Sequence, residues 1–164
     1  MLTVRNANFA GFVACAGMMA YALYAEHVLG LAPCPLCVFQ RLATIVLGVI
    51  FLGAALGGAG KLRQRLNALL ILMASVSGAG VAARHVWLQN LPPDQVPACG
   101  PGLDFMLDAF PLTKALQMVF TGSGECANVT WSFVGLSMPA WTLICFVVLG
   151  VSGVWANVRL SMAG

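Results

Sequence analysis

Residues 38–58 read VFQRLATIVLGVIFLGAALGG, a continuous apolar run in which Arg41 is the only charged side chain. A helix of about 20 apolar residues is long enough to cross the hydrocarbon core of a bilayer. Three further stretches have the same character, at residues 9–29, 66–88 and 138–155. The sequence therefore predicts an all-α fold, an integral membrane four-helix bundle that residues 1–164 form as one domain. We expect the first stretch to be retained as a span and not cleaved as a signal peptide.

The composition points to the same class of protein. The chain is 60% hydrophobic and only 8% charged, with a mean hydropathy of +0.92. A water-soluble domain carries charge on roughly a quarter of its residues, so lipid must cover much of this surface. Because the centres of the predicted spans are apolar, the sequence argues against a proton or ion transporter, which would place ionisable groups there.

The basic residues predict the orientation of the spans. One side of a four-span arrangement carries five basic residues and no acidic residue, namely Arg5, Lys61, Arg63, Arg65 and Arg159. The other side carries all five acidic residues together with three basic ones. An excess of Lys and Arg in short loops marks the cytoplasmic side. We therefore expect both termini in the cytoplasm and the segments 30–37 and 89–137 outside.

This orientation sorts the six cysteines of the chain into two groups. Cys34, Cys37, Cys99 and Cys126 fall on the outer side, where disulfides persist. Cys15 and Cys145 fall inside predicted helices. We expect those two to behave as small apolar residues without a redox role, since a reactive cysteine needs thiolate character and access.

Cys34-Pro35-Leu36-Cys37 is a C-x-x-C motif, which can attach haem, bind zinc or act as a redox pair. Haem attachment needs a histidine directly after the motif, and Val38 stands there. Zinc needs two more ligands, and Cys99 and Cys126 are 27 residues apart, unlike a second short-spaced ligand pair. The redox interpretation is favoured, with zinc as the weaker alternative, because amides at the start of the second span favour a thiolate.

Two polar residues near the motif are candidates for binding a small molecule. Arg41 follows Cys37 by four residues and so lies on the same helix face. Its guanidinium can stabilise a thiolate or a quinone oxygen, or it can be a snorkelling arginine at the membrane surface. His85, near the outer end of the third span, can donate a hydrogen bond to a quinone carbonyl, or it can be an interfacial anchor. We expect Glu26 and Trp141 to be ordinary interface residues.

The outer segment 89–137 carries the remaining two outer cysteines, Cys99 and Cys126, among many turn-forming residues. An exposed loop suits a disulfide that a protein partner must reach. The alternative is a purely structural disulfide between these two cysteines. The apolar stretches 105–107 and 112–120 are too short to span and predict a short interfacial helix lying on the bilayer.

At several separate places the chain resembles a known family, disulfide bond formation protein B (DsbB). The matching stretches are Pro33 to Cys37 with Arg41 following, His85 to Gln89, Cys99 in the Pro-rich loop, Ser123 to Ala127, and Phe133 to Pro139. The resemblance implies a four-helix bundle in the bacterial inner membrane. It also implies a bound ubiquinone or menaquinone and a periplasmic thioredoxin-like partner of the DsbA type, with the redox loops in the periplasm.

The resemblance also implies a role for each outer cysteine. Cys99 would receive the thiolate of the partner and form the mixed disulfide. Cys126, once released, would attack Cys34 or otherwise exchange with the inner pair. Cys37 would be the thiolate next to the quinone ring.

For the polar residues, the resemblance implies that Arg41 orients and polarises the quinone and that His85 lies nearby. Gln40 departs from the acidic residue expected there, which removes a charge beside Arg41. The sequence thus predicts a protein-disulfide:quinone oxidoreductase without a metal cofactor. Two alternatives stay open: a membrane assembly subunit whose outer loop is stapled by disulfides, and a related oxidase dedicated to a different partner.

Overall fold

The computed structural model describes residues 3–57, 60–92, 94–96, 111, 113, 124–129 and 131–159. Its elements in chain order are α1 (Val4–His27), α2 (Pro35–Leu56), α3 (Lys61–Gln89), the short α4 (Gly124–Ala127), β1 (Ser132–Phe133), β2 (Leu136–Ser137) and α5 (Met138–Arg159). The four long helices are each long and apolar enough to cross a membrane. The predicted all-α bundle is therefore confirmed.

All four of these helices extend at one end or both beyond the apolar stretches that predict them. α1 begins at Val4 because the Thr3 hydroxyl caps it, accepting a hydrogen bond from the Asn6 N–H at 3.2 Å. α3 begins at Lys61, and its first turn is polar. Hydropathy marks only the part of a helix that lies in lipid, so it leaves out end turns that are held by capping and by solvation.

The start of α2 fixes the geometry of the C-x-x-C motif. Cys34 is the N-cap residue, and its Sγ accepts a hydrogen bond from the Cys37 N–H at 3.3 Å. Pro35 takes the first helical position, where its lack of an N–H costs nothing. The two cysteines therefore occupy the first turn of one helix, and their side chains point to the same side.

The core of the bundle lies where α1, α2, α3 and α5 meet around Phe51 and Phe146, both essentially unexposed. Small residues let the helices approach these rings. A methyl group at Gly153 would lie 2.8 Å from the Phe51 ring, and one at Gly78 would overlap the Phe146 ring. Such contacts tie α5 to α2 and α3 at van der Waals distance, as is usual for helix packing in membranes.

A pair of buried amides joins α1 to α5 at the end of the bundle opposite Cys34. The Asn8 side chain donates to Asn157 Oδ1 at 3.2 Å, and Asn157 Nδ2 donates to Asn8 Oδ1 at 2.8 Å. Asn157 Nδ2 also donates to the Gly153 carbonyl at 2.8 Å. Both side chains are fully buried. Toward the other end, residues of α1 and α5 both line the cavity described below.

A two-stranded hairpin precedes α5, where the sequence predicts only a loop. Ser132 pairs with Ser137 and Phe133 with Leu136. Val134 and Gly135 have φ values of 52° and 76°, the positive values of a two-residue type I′ turn. The Trp141 indole donates to the Phe133 carbonyl at 3.1 Å and so fastens the hairpin to α5. The predicted interfacial helix at 105–107 and 112–120 lies outside the described residues, apart from Thr113.

Candidate functional site

The centre of the site is the dithiol at the start of α2. Cys34 and Cys37 carry free thiols whose Sγ atoms lie 2.7 Å apart. Cys34 is buried and Cys37 is half-buried. A small rotation of either side chain brings the sulfurs to the 2.03–2.05 Å of a disulfide bond. The pair can therefore pass between dithiol and disulfide without movement of the backbone.

His85 on α3 connects this dithiol to the outer segment. Its Nε2 lies 3.1 Å from the Cys126 carbonyl oxygen and 3.8 Å from the Cys34 Sγ. Its Nδ1 lies 3.0 Å from Gln40 Nε2. A carbonyl oxygen only accepts hydrogen bonds, so Nε2 carries the proton and Nδ1 accepts from the Gln40 amide. Both ring nitrogens of His85 are thus engaged, and the side chain is only 3% exposed.

Gln40 therefore serves His85 and not Arg41. From the sequence, we expect Gln40 to stand beside Arg41 in place of an acidic residue. In the structure the Gln40 side chain is instead buried and turned toward α3. Consecutive residues on a helix point in directions about 100° apart, so the neighbour of Arg41 in sequence faces a different helix. This contact joins two residues 45 positions apart, and their spacing gives no signal of it.

Cys126 reaches the dithiol from the outer segment. It lies in the short α4, is 1% exposed, and packs in one cluster with Cys34, Leu36 and Leu88. Its thiol is within hydrogen-bonding reach of the Cys34 thiol. The neighbouring thiols of Cys126 and Cys37, together with burial, raise the pKa of the Cys34 thiol above its ordinary value. Cys34 is therefore the member of the pair that keeps its proton.

Arg41 is held by the C-terminal end of α1. Its guanidinium forms an ion pair with the Glu26 carboxylate and donates to the Ala22 carbonyl at 3.1 Å. The two charged side chains are 21% and 30% exposed. Glu26 is expected from the sequence to be an ordinary interface residue, but in the structure its carboxylate is the ion-pair partner of Arg41. Opposite charges at the same depth on neighbouring spans are the signal that would have indicated this pair.

A cavity of about 480 Å³ opens beside Cys37 and Arg41. Its walls are α1, α2, α5 and the last turns of α3, with a mainly apolar lining that includes Met18, Tyr21, Thr44, Trp141 and Cys145. Trp131 and Phe133, whose rings stack at 6.2 Å, extend this aromatic wall to the hairpin. Trp141, expected only in an aromatic belt, thus also faces the cavity. The volume is within the range of small-molecule sites.

The structure brings four of the predicted site residues to this region together with Cys126. Cys34, Cys37, Arg41 and His85 all line the cavity. Cys99 lies outside the described residues, so its predicted role stays a prediction. Of the two cysteines expected to be inert, Cys15 is buried in the core of the bundle, and Cys145 is half-buried on the cavity wall.

Comparison with known proteins matches nearly the whole chain. The model of the family described as disulfide bond formation protein DsbB matches residues 4–156. A disulfide bond formation protein B from Nitrosococcus oceani is 53% identical over 154 residues, which cover 94% of this chain and 91% of the relative. Proteins of the same name from Hahella chejuensis and Saccharophagus degradans are 49% and 52% identical, and the alignments cover 94% and 90% of this chain and 93% and 89% of each relative.

Proposed function

The chain belongs to the family of disulfide bond formation protein DsbB, and we propose that it re-oxidises a periplasmic DsbA-type dithiol protein and passes the electrons to a membrane quinone. It is a multi-pass membrane enzyme, a thiol oxidase that supports disulfide bond formation. The observation that carries the proposal is the position of the Cys34–Cys37 dithiol. One side of it meets Cys126 from the outer segment, and the other side opens on an apolar cavity.

The protein side of the reaction is a relay of disulfide exchanges. A partner thiolate attacks the disulfide between Cys99 and Cys126 at Cys99, forms a mixed disulfide there and releases the Cys126 thiolate. The second partner thiol then attacks the mixed disulfide, so that the partner leaves oxidised and Cys99 is reduced. The contact between Cys126 and Cys34 supports a transfer in which Cys126 attacks an oxidised inner pair at Cys34, forms a Cys34–Cys126 disulfide and expels Cys37 as a thiolate. The Cys99 thiolate then attacks that disulfide at Cys126, which restores the Cys99–Cys126 disulfide and leaves the inner pair as a dithiol.

His85 supports this exchange by positioning the Cys126 and Cys34 sulfur atoms that react. Its Nε2–H holds the Cys126 carbonyl at 3.1 Å and lies 3.8 Å from the Cys34 sulfur. The attacking sulfur is thereby kept next to the sulfur that it attacks. Disulfide exchange depends on such access as well as on the acidity of the thiols. The Gln40 amide fixes which ring nitrogen carries the proton.

The cavity has the properties that a quinone requires. It is apolar, lies between spans, and carries one guanidinium at its polar end. The Cys34–Cys37 dithiol would give two electrons and two protons to a quinone bound there and return to its disulfide. Arg41, oriented by Glu26 and the Ala22 carbonyl, would hold a quinone oxygen through its N–H groups. Cys37 would be the cysteine that faces the ring, since Cys34 is turned toward Cys126.

We further propose the inner membrane as the location, with both termini in the cytoplasm. The charge pattern supports it. Arg5, Lys61 and Arg159 lie at one end of the bundle, and Cys34, Cys126 and the hairpin lie at the other. The basic end corresponds to the cytoplasmic side. The dithiol then faces the compartment in which disulfides persist.

The test is quinone reduction by the purified full-length protein in detergent, supplied with a reduced DsbA-type protein and followed by quinone absorbance. We expect turnover by the native chain and loss of turnover in Cys37→Ser and Cys99→Ser. Cys15→Ser is the matched control, because it also removes one buried thiol but leaves the dithiol alone. Turnover that persisted in Cys37→Ser would contradict the proposal. Permanently oxidised cysteines with no turnover would instead support a stapled assembly subunit.

A further inference from the structure

We propose that the fully reduced enzyme also binds a thiophilic divalent cation such as Zn²⁺, with Cys34, Cys37, His85 and Cys126 as the four ligands. The Sγ atoms of Cys34 and Cys37 and a ring nitrogen of His85 all lie within 4.8 Å of one another. Cys126 places its thiol beside Cys34 in the same buried cluster. Three cysteines and one histidine are a donor set that tetrahedral zinc sites use. Three of these donors already lie together, and the Cys126 side chain, beside Cys34, must turn toward Cys37 and His85 to complete the set.

The sequence gives only half of this site. The C-x-x-C motif supplies one pair of ligands, but Cys99 and Cys126 are too far apart in sequence to suggest a second pair. In the folded chain the remaining ligands are His85, 51 residues beyond Cys34, and Cys126, which lies 41 residues beyond His85. Only the packing of α3 and α4 against the start of α2 brings these donors together.

Binding requires small adjustments of side chains. Zn–S bonds of about 2.3 Å in a tetrahedron place two sulfurs about 3.8 Å apart. The Cys34 and Cys37 sulfurs, now 2.7 Å apart, must therefore separate by about 1 Å, which side-chain rotation can provide. The 3.8 Å between the Cys34 sulfur and His85 Nε2 already suits two ligands of one ion. His85 would give up its hydrogen bond to the Cys126 carbonyl.

Gln40 is suited to hold His85 in the orientation that binds the cation. A metal needs the lone pair of Nε2, so the proton of the neutral imidazole must move to Nδ1. Gln40 now donates to Nδ1, and turning its amide over presents the oxygen as an acceptor for Nδ1–H. Histidine ligands of metals usually donate their second N–H to such an acceptor. The amide can hydrogen-bond to Nδ1 in both the metal-free and the metal-bound state, whereas a leucine side chain can do so in neither.

The oxidation state of the cysteines controls the site. Each thiol that binds the cation loses one proton to solvent, so three protons leave, and no electron is transferred. A disulfide between Cys34 and Cys37 has no thiolate to offer, so the oxidised enzyme should not bind. The resulting cluster carries a net charge of −1, and the Arg41 guanidinium lines the same cavity. If the proposed oxidase function holds, a bound cation would also stop turnover by occupying the sulfurs that must exchange.

The first experiment measures binding alone, so it needs neither the protein partner nor quinone. Full-length protein in detergent is reduced with a phosphine or oxidised, and then titrated with Co²⁺ as a spectroscopic probe. We expect one tetrahedral cobalt–thiolate centre per reduced chain and none in the oxidised chain, with Zn²⁺ displacing the cobalt. Octahedral spectra, or equal binding by both redox forms, would overturn the proposal. Failure of quinone turnover would contradict the proposed function without affecting this result.

Variants identify the ligands. His85→Ala and Cys126→Ser should each reduce the intensity of the cobalt–thiolate bands or the affinity for Zn²⁺ by tenfold or more. Cys15→Ala should bind like the native chain, because Cys15 lies in the core away from the site. Gln40→Leu should weaken Zn²⁺ binding by about 10–100-fold, the usual effect of losing a partner of a metal-binding histidine, and Gln40→Glu should restore it. Binding that survived both His85→Ala and Cys126→Ser would refute the proposed ligand set.

Discussion

Replacement of Gln40 by leucine tests whether the Gln40 amide controls His85 and, through it, the position of Cys126. Leucine has a similar volume but no N–H to donate to His85 Nδ1. The imidazole would then keep a buried nitrogen without a partner, or it would move its proton to Nδ1 and lose the bond from Nε2 to the Cys126 carbonyl. Either result weakens the docking of Cys126 against the dithiol.

The size of the effect follows from these hydrogen bonds. Leaving a buried donor or acceptor unsatisfied costs about 1–3 kcal/mol. If this cost falls on the docked state of Cys126, the ratio of docked to released forms changes by about 5–150-fold. Cys126 is 1% exposed when docked, so modification of its thiol has to proceed through the released form. We therefore expect its alkylation rate in the reduced protein to rise by a similar factor.

Two measurements check this prediction on the same samples. Mass spectrometry of the reduced protein after timed alkylation gives the rate for each cysteine separately. ¹⁵N NMR of labelled histidines reports which ring nitrogen carries the proton, and the chain has only one other histidine, His27. The native protein should show His85 protonated at Nε2. Thr44→Val is the matched control, because it removes a buried hydrogen bond on the same helix, to the Gln40 carbonyl, without touching His85.

A native His85 protonated only at Nδ1 would exclude this control of Cys126 by Gln40, since the hydrogen bond from Nε2 to the Cys126 carbonyl could then not exist. The prediction would also fail if Gln40→Leu left the alkylation rate of Cys126 unchanged while Thr44→Val raised it. That pattern would mean that general loosening of α2, and not the imidazole, controls access to Cys126.

Three further predictions concern other contacts. Glu26→Gln leaves the cavity arginine without its ion pair. Because the pair is partly exposed, the effect should be modest: the KM for quinone should rise while the KM for the protein partner stays constant, and an unchanged KM for quinone would contradict the role of Glu26. Because the pKa of the Cys34 thiol is raised, the alkylation of Cys34 should increase only as the pH rises above the ordinary thiol value of 9.0. In Cys126→Ala this increase should move to lower pH. Identical pH profiles for the two proteins would show that the Cys126 thiol does not raise the pKa of Cys34. Asn157→Leu leaves the Asn8 amide buried without its partner and should destabilise the protein in detergent by about 0.6–1.7 kcal/mol. Replacing both Asn8 and Asn157 by leucine should recover part of this stability. A double variant no more stable than Asn157→Leu would count against the reciprocal hydrogen bonds.

The sequence predicts the helices well because their cause is local in the chain. A run such as residues 38–58 must be a helix in lipid, where every backbone polar group needs a partner within the segment. The proximity of Cys34 and Cys37 likewise follows from the sequence, because the C-x-x-C spacing places both cysteines on one helical turn. The hairpin at Ser132–Ser137 could not be predicted in this way, because Val134 takes a positive φ that glycine or asparagine normally occupies.

The contacts within the site depend on how the helices are rotated against each other. Glu26 meets Arg41, and Gln40 meets His85, only because α1 and α3 present particular faces to α2. A rotation of one helix by a single residue would exchange these partners without changing the hydropathy of any span. Residue types therefore indicated the chemistry of the site, while the pairing of the residues came from packing in three dimensions.

The position of the cavity between α1 and α5 has a consequence for how the proposed acceptor is supplied. The two helices are joined through Asn8 and Asn157 at one end, and residues of both line the cavity toward the other. A hydrophobic molecule would then arrive sideways from the acyl chains, and the bilayer would act as a two-dimensional reservoir. The quantity that sets the rate would be the mole fraction of quinone in the lipid. Diluting proteoliposomes with buffer should leave the turnover of each enzyme unchanged, whereas fusing them with quinone-free lipid should slow it.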